Sequence, residues 1–325
     1  MTTGTEAGHR GYRHETAFYG WDEEYLSIVV PFLNGATQAG EPAVVAVRGV
    51  NAKLIHGAVQ DPSSLSFIDA DLHYGRPSST IKAYRDLLTG HVANGAEQIR
   101  LIGEVPHPGV GRAWDWWARY EAAINHAYDD FPLWCVCPYD TRITPGGVLA
   151  DVARTHPFVA TADGSHAMSG RFEDPARFLR DRTATDADPL EAGPPAIDLV
   201  DPTPGAARRA VRDVGRGGAL GADELDDLVM AVNEAVTNAL RHGRPPVHLR
   251  VWPGPDRVVA AITDGGSGPA DPFAGLLPAT ATSAGGLGLW LTHEICSHIT
   301  LDSSDEGFTI RLVAGKPCVP SSTDL

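Results

Sequence analysis

The stretch Leu228-Val-Met-Ala-Val-Asn-Glu-Ala-Val-Thr-Asn-Ala-Leu-Arg-His-Gly243 decides the reading of the C-terminal half. Leu225, Leu228, Val229, Val232, Val236 and Leu240 recur at three- and four-residue steps, which predicts an amphipathic helix over 222–241 that Gly243 stops. Glu234, Asn238 and His242 fall at i, i+4 and i+8 and therefore share one face. An Asn carbonyl on that face can ligate Mg2+ while a carboxylate one turn away orients or deprotonates a hydroxyl. His242 has two readings: it belongs to this polar face, or it caps the helix as a cation beside the negative end of the dipole.

Downstream, Val247-His-Leu-Arg-Val-Trp252 and Val258-Val-Ala-Ala-Ile-Thr263 read as strands, with Pro253-Gly-Pro-Asp256 as the turn between them. The second strand delivers Asp264, a carboxylate that can accept the exocyclic amine of adenine. Gly266 and Gly268 let backbone approach a flat ring without a Cβ in the way. Pro269 to Ala284 lacks any period and reads as a lid. Gly285, Gly286 and Gly288 precede an apolar helix candidate, Leu289 to Ile299, whose first N–H groups can hold phosphate oxygens. A last strand is expected over Phe308 to Val313. Helix-borne Glu and Asn, a strand-end Asp and a glycine loop in this order point to ATP held with Mg2+.

A chain of 325 residues with 43% hydrophobic content can bury two cores of ordinary size. The net charge of −15 argues against direct nucleic-acid binding, because a phosphate backbone needs a basic surface. The apolar runs, such as Ala43 to Val47, are far shorter than the roughly 20 residues of a membrane span, and the N-terminus is no signal peptide, so a cytoplasmic protein is expected. Of Cys135, Cys137, Cys296 and Cys318, the first two form a Cys-x-Cys pair on one face of a strand. They read either as reduced core thiols or as redox or metal ligands.

Residues 184–204 gather Asp, Pro, Ala and Gly without apolar period and read as a connector. The organisation expected is therefore a first domain over 1–185, a linker over 186–204, a second, ATP-binding domain over 205–316 and a tail over 317–325. In the first of these, Ala43–Val47, Leu65–Ile68, Ile99–Ile102 and Leu133–Val136 read as strands. They alternate with helices around Glu23–Gly35, Thr80–Asn94 and Trp114–Tyr128. This alternation predicts an α/β domain with a mainly parallel sheet. Pro31 to Glu41 followed by a buried strand resembles the start of a RecA-like core. The following Arg48-Gly-Val-Asn-Ala-Lys53 lacks the glycine-rich loop that ends in Gly-Lys-Ser/Thr, so the P-loop is degenerate and nucleotide hydrolysis is not expected there.

His14, Glu104, Glu121, Tyr139, Asp140 and His156 are candidates for one ligand pocket, and His with carboxylates can bind a metal. The competing account is that such scattered polar groups satisfy buried backbone or cap helices. Trp114, Trp116, Trp117 and Tyr120, beside Ala113, read either as packing or as an apolar effector or docking surface. Asp163-Gly-Ser-His166 reads as a loop.

The segments from Glu234 to Gly288 resemble the asparagine box and the two glycine boxes of the Bergerat-type ATPase fold, over about residues 205–315. That fold is shared by histidine kinases, the gyrase family, heat-shock chaperones and anti-sigma regulatory kinases, and the stretch 228–243 is most similar to the last group. The resemblance implies an α+β two-layer sandwich, with Glu234 as base, Asn238 as Mg2+ ligand, Asp264 as adenine reader and Gly286 with Gly288 as phosphate loop. It also implies that Thr309 lies near the adenine. In one respect the chain departs from the family: where such kinases often carry an arginine before the second glycine box, this chain reads Thr282-Ser-Ala284.

His14-Glu15 with Phe18-Tyr19, Pro31-Phe-Leu, Gly40-Glu41, Arg100-Leu-Ile-Gly-Glu104, Tyr120-Glu121, Cys137-Pro-Tyr-Asp140 and His156-Pro157 together resemble a MEDS sensory domain over about 9–180. The two resemblances imply a partner-switching regulator. Its expected partners are a sigma factor and an anti-anti-sigma protein of the STAS type, with room for a small-molecule effector in the sensory half and for a homodimer. The alternative is a non-catalytic, ATP-gated binding module. A histidine kinase fragment is a third reading, for which the chain offers no His-bearing dimerisation helix pair.

Overall fold

The computed structural model describes residues 11–105, 114–182, 187–216, 218, 220–277, 287–304 and 307–316, without the side chains of 71 and 72. It divides into Met1–Leu179 with Ser321–Leu325, and Arg180–Pro320.

The first unit runs β1 (Arg13–Tyr19), α1 (Asp22–Ala39), β2 (Ala43–Val47), α2 (Gly49–Ala58), β3 (Leu65–Asp69), α3 (Ala70–His73), α4 (Pro77–Ala93), β4 (Ile99–Gly103), α5 (Trp114–Ala127), β5 (Leu133–Asp140), α6 (Gly146–Thr155), β6 (Phe158–Ala160), β7 (His166–Met168) and α7 (Pro175–Asp181). Its sheet has the order β3-β2-β4-β5-β1-β6-β7, parallel throughout except that β7 runs antiparallel to β6. All residues of β2, β4 and β5 are buried, as a parallel sheet covered on both faces requires. On one face Ala17, Tyr19, Val45 and Val47 meet Tyr25, Val29, Phe32 and Leu33 of α1.

β1 lies inside the sheet, between β5 and β6, a position its polar start, Arg13-His-Glu-Thr16, did not announce. The strand is tolerated there because its charges are paired. Arg13 Nε donates to Glu15 Oε1 at 2.5 Å and His166 Nδ1 lies 2.7 Å from Glu15 Oε2, while the Arg13 guanidinium covers the rings of Trp134 and Phe158. The four expected strands are β2 to β5. The expected loop 48–53 is instead the start of α2, with Arg48 as its N-cap. Trp116, Trp117 and Tyr120 are buried, which settles their packing role; Trp117 stacks edge-on with Tyr74 and Tyr120. Ala113 lies outside the described residues. Asp163-Gly-Ser-His166 turns between β6 and β7, with Gly164 at φ +80.

The second unit comprises β8 (Ile197–Val200), α8 (Pro204–Gly215), α9 (Ala222–His242), β9 (His248–Pro253), β10 (Arg257–Asp264), α10 (Leu287–Ile295), β11 (His298–Ser304) and β12 (Gly307–Gly315). The sheet order is β11-β12-β10-β9-β8, antiparallel throughout. One face packs on the three helices. Ala207 and Val211 of α8 and Leu228, Val232 and Val236 of α9 meet Leu249, Val251, Ala260, Ile262 and Leu312, with Leu289 and Ile295 of α10 against them. Each fully buried aliphatic side chain here contributes about 1.5–3 kcal/mol. This is the helix-on-sheet sandwich expected.

Three expectations are corrected. Leu240, placed on the apolar stripe of α9, is 45% exposed, because the buried stripe runs through Ala235, Val236 and Ala239 instead. The helix expected to reach Ile299 ends at Ile295, and Ile299 enters β11. The expected connector is largely part of this unit. Residues 197–200 form the edge strand β8, and Asp188 to Ala196 lie against the second face of the sheet. There Leu190 packs on Trp252, Val259, Ala261 and Val313, and Trp252 Nε1 donates to the Gly193 carbonyl at 2.9 Å. Asp188 pairs with Arg257 at 2.9 Å and Glu191 with Arg311 at 3.1 Å. Apolar period cannot reveal such a segment, because a single leucine and two carboxylates hold it.

Candidate functional site

α9 and α10 meet at a glycine. A Cβ on Gly288, in the first turn of α10, would lie 2.6 Å from Glu234 Oε2 and 3.7 Å from Asn238 Nδ2. The half-buried polar face of α9 therefore opens onto the N-terminus of α10, where backbone N–H groups have no intrahelical partner. Thr292 Oγ1 donates to the Gly288 carbonyl at 2.7 Å and fixes that first turn.

At the far end of α9, Asp264 closes β10 with only 6% exposure. Its Oδ1 accepts backbone N–H groups from Arg244 at 3.1 Å and Gly266 at 2.7 Å, which aims the carboxylate and leaves the second oxygen for a ligand donor. A Cβ on Gly243 would lie 2.3 Å from Asp264 Cγ, and one on Gly266 2.6 Å from Asp264 Oδ1. Gly243 has φ −80, so its requirement for glycine is space for Asp264 and not a left-handed cap. Gly268 does take a left-handed φ, +77, and its missing Cβ leaves room for the Phe308 ring. Thr309 sits opposite Thr263 across β10 and β12, with the hydroxyl oxygens 2.9 Å apart, one residue from Asp264.

Glu234 and Asn238 thus border the space beside Gly288; Gly266 bonds Asp264, Gly268 packs on Phe308, the cross-strand partner of Asp264, and Thr309 pairs with the neighbouring Thr263. His242 is exposed at the end of α9. Gly285, Gly286 and Thr282-Ser-Ala284 lie outside the described residues. Part of the expected lid is packed: Leu276 is 3% exposed, and Gly275 sits against Leu289 and His293 of α10.

Two residues the sequence did not single out join the site. Asn233 Nδ2 donates to Glu234 Oε1 at 3.1 Å, and Arg208 of α8 donates to Asn233 Oδ1. The guanidinium is thus coupled to the Glu234 carboxylate through one amide. Arg208 carries no motif, and only the α8–α9 packing brings it there.

In the first unit the six candidate residues separate into groups. His14, Glu121, Tyr139 and His156 converge, with Tyr139 donating to Glu121 Oε1 at 2.5 Å. Glu104 lies apart, at the carboxyl end of the sheet, where it accepts from the Arg48 backbone N–H at 2.9 Å, from Asn51 and from the Tyr25 hydroxyl at 3.4 Å. Burial raises its pKa above the usual carboxylate range. Asp140 belongs to Arg142, whose guanidinium and backbone N–H hold its pKa down.

Residues 13–157 match the family model described as the methanogen/methylotroph, DcmR sensory domain, MEDS. Residues 202–314 match the histidine kinase-like ATPase domain. No curated protein is a significant match to the chain. The NMR structure of the histidine kinase domain of the E. coli osmosensor EnvZ is 19% identical over 40% of this chain and 94% of that one, with a TM-score of 0.24, at which the likeness carries no weight. Among the described residues no helix is long and apolar enough to cross a membrane. The chain carries a MEDS sensory domain followed by a histidine kinase-like ATPase domain of the Bergerat type.

Proposed function

We propose that the second unit binds ATP with Mg2+ and acts as an anti-sigma regulatory serine/threonine kinase under control of the first. The observation that carries the reading is the approach of Gly288, at the start of α10, to the Glu234 and Asn238 face of α9, where a Cβ would meet the Glu234 carboxylate. Asn238 would hold the metal through its amide oxygen, Asp264 would accept the adenine amine through its free carboxylate oxygen, and the N–H groups at the start of α10 would hold phosphate oxygens. Glu234, steadied by Asn233, would accept the proton of a protein serine or threonine hydroxyl. ATP with Mg2+ supplies the phosphoryl group.

The acceptor in this reading is an anti-anti-sigma protein of the STAS type, and the sequestered partner is a sigma factor. The setting is cytoplasmic, without direct nucleic-acid or membrane binding, and a homodimer is compatible with it. The sensory half is read as a RecA-like core with a degenerate P-loop that takes a small-molecule effector; the mainly parallel, helix-covered sheet is what supports that reading.

Transfer of label from ATP to the purified STAS-type protein tests the enzymatic part. Glu234→Ala is expected to lower the transfer rate by about 10²–10⁴-fold, as loss of a general base does. A Glu234→Ala protein as fast as the parent would end the kinase reading. The second reading, a non-catalytic ATP-gated module, is favoured by the absence of an arginine in Thr282-Ser-Ala284. It predicts calorimetric ATP binding that Asn238→Ala abolishes, with no transfer from the parent.

A further inference from the structure

On the face of the first sheet covered by α5 and α6, four side chains from four places in the sequence point at one small volume. His14 comes from β1, Cys137 from β5, Glu121 from α5, and His156 from the residue after α6. All are at most 2% exposed. One ligand atom of each, the imidazole nitrogens, the thiol sulfur and a carboxylate oxygen, lies within 4.8 Å of all the others.

Three of the six spacings are those of a coordination shell. Glu121 Oε2 is 3.4 Å from His14 Nε2 and 3.5 Å from His156 Nε2, and Cys137 Sγ is 3.6 Å from His14 Nε2. A tetrahedral zinc-class ion with bonds of about 2.0–2.1 Å to nitrogen or oxygen and about 2.3 Å to sulfur separates its ligands by about 3.3–3.6 Å.

The surroundings fix the orientation of each ring. Asn125 Nδ2 donates to the carbonyls of Glu121 at 2.9 Å and Thr155 at 2.8 Å, so its Oδ1, 3.1 Å from His14 Nδ1, accepts a hydrogen bond from a protonated Nδ1. His156 Nδ1 is 2.8 Å from the Val152 carbonyl, an acceptor only, and must likewise carry its proton there. Both Nε2 atoms are then bare lone pairs, and they face a carboxylate oxygen. Glu121 Oε2 and His156 Nε2 are buried without a hydrogen-bond partner, a costly arrangement unless something positive lies between them. Hydrogen bonds from each histidine to an amide or carbonyl, and from Tyr139 to the other oxygen of Glu121, are the outer-shell contacts that orient metal ligands.

We propose that His14, Glu121, Cys137 and His156 form a buried tetrahedral site for a divalent transition-metal ion of the zinc class, which ties β1, β5, α5 and the end of α6 together. The donor set, two imidazoles, a thiolate and a carboxylate, excludes magnesium and calcium and suits zinc or cobalt. The inference is independent of the nucleotide reading, since it concerns the first unit alone. With four protein ligands and no exposed ligand atom, the site is of the closed, structural kind.

The test uses the full chain, expressed in minimal medium supplemented with cobalt so that the ion is present as the chain folds. Metal analysis is expected to give near-stoichiometric cobalt, and the spectrum to show the intense visible bands of a tetrahedral ion with a thiolate charge-transfer band. Cys137→Ser is expected to remove the charge-transfer band, and Asn125→Ala, which touches no ion, to weaken retention against a chelator by about 10–100-fold. A chain that folds by circular dichroism yet contains no cobalt overturns the proposal. So does bound cobalt whose spectrum Cys137→Ser leaves unchanged. The parent spectrum requires no variant to fold, so failure of a substituted chain does not shelter the proposal.

Discussion

The two units place their carboxylates in opposite ways. In the ATPase unit Asp264 is buried at the rim, one oxygen held by backbone N–H groups, above a core of aliphatic side chains. In the MEDS unit Glu15, Glu104 and Glu121 are buried within the sheet and its helices, each among arginine, histidine, tyrosine or asparagine. A rim carboxylate can be spent on a ligand, because the core beneath it holds the fold. A core carboxylate is itself part of the fold, and removing its partners exposes an uncompensated charge.

The largest effect that would sharpen this contrast is on the frame beneath Asp264. Gly307 has φ +128, and a Cβ there would lie 2.0 Å from the Asp264 carbonyl oxygen. Gly307→Ala is expected to destabilise the ATPase unit by about 3 kcal/mol or more, read as a lowered unfolding midpoint in denaturant. Next, Asp264→Asn keeps an oxygen for the two backbone N–H groups but offers an amide to the ligand. Calorimetry should show ATP affinity down about 10–100-fold with stability within about 1 kcal/mol of the parent. A large stability loss in that variant would break the rim-versus-core distinction.

Leu190→Ala is expected to cost about 1–2 kcal/mol, since it uncovers the sheet face formed by Trp252, Val259, Ala261 and Val313. A neutral result would return residues 187–196 to the role of connector. The smallest effect is a pH dependence. Glu104 has a folded pKa raised above 4.5 by burial, so the stability it contributes is present below pH 4.5 and lost as pH rises through the folded value. The stability difference between Glu104→Gln and the parent should therefore move in the variant's favour as pH rises above 4.5, with ATP affinity unaltered. A difference independent of pH would show that Glu104 is not held against its charge.

Legibility followed the same division. The ATPase helix and its two flanking strands were readable because their apolar residues repeat at the period of the element, and the polar site residues interrupt that repeat at fixed spacing. Strand β1 was not readable, since Arg13-His-Glu-Thr16 has the composition of a surface segment and its burial depends on partners up to 151 residues away, as in the bond from His166 to Glu15. Residues 48–53 were read as the loop after a strand, at the position of a P-loop, whereas Asn51 there is on a helix and is held by Glu104, the residue after β4. Leu240 was misassigned because the periodic step allows two neighbouring stripes on a helix, and only packing on the sheet chooses between them.

The sequence by itself determined that α9 would present Glu234 and Asn238 together, because helical spacing is a local property of the backbone, and that Asp264 would end a strand. Only the tertiary structure decided that Gly288 approaches those two side chains, that Arg208 reaches Glu234 through Asn233, and that His14, Glu121, Cys137 and His156 share one buried volume. The reason is that each of these depends on contacts between elements far apart in the chain, which the pattern within any one element does not encode.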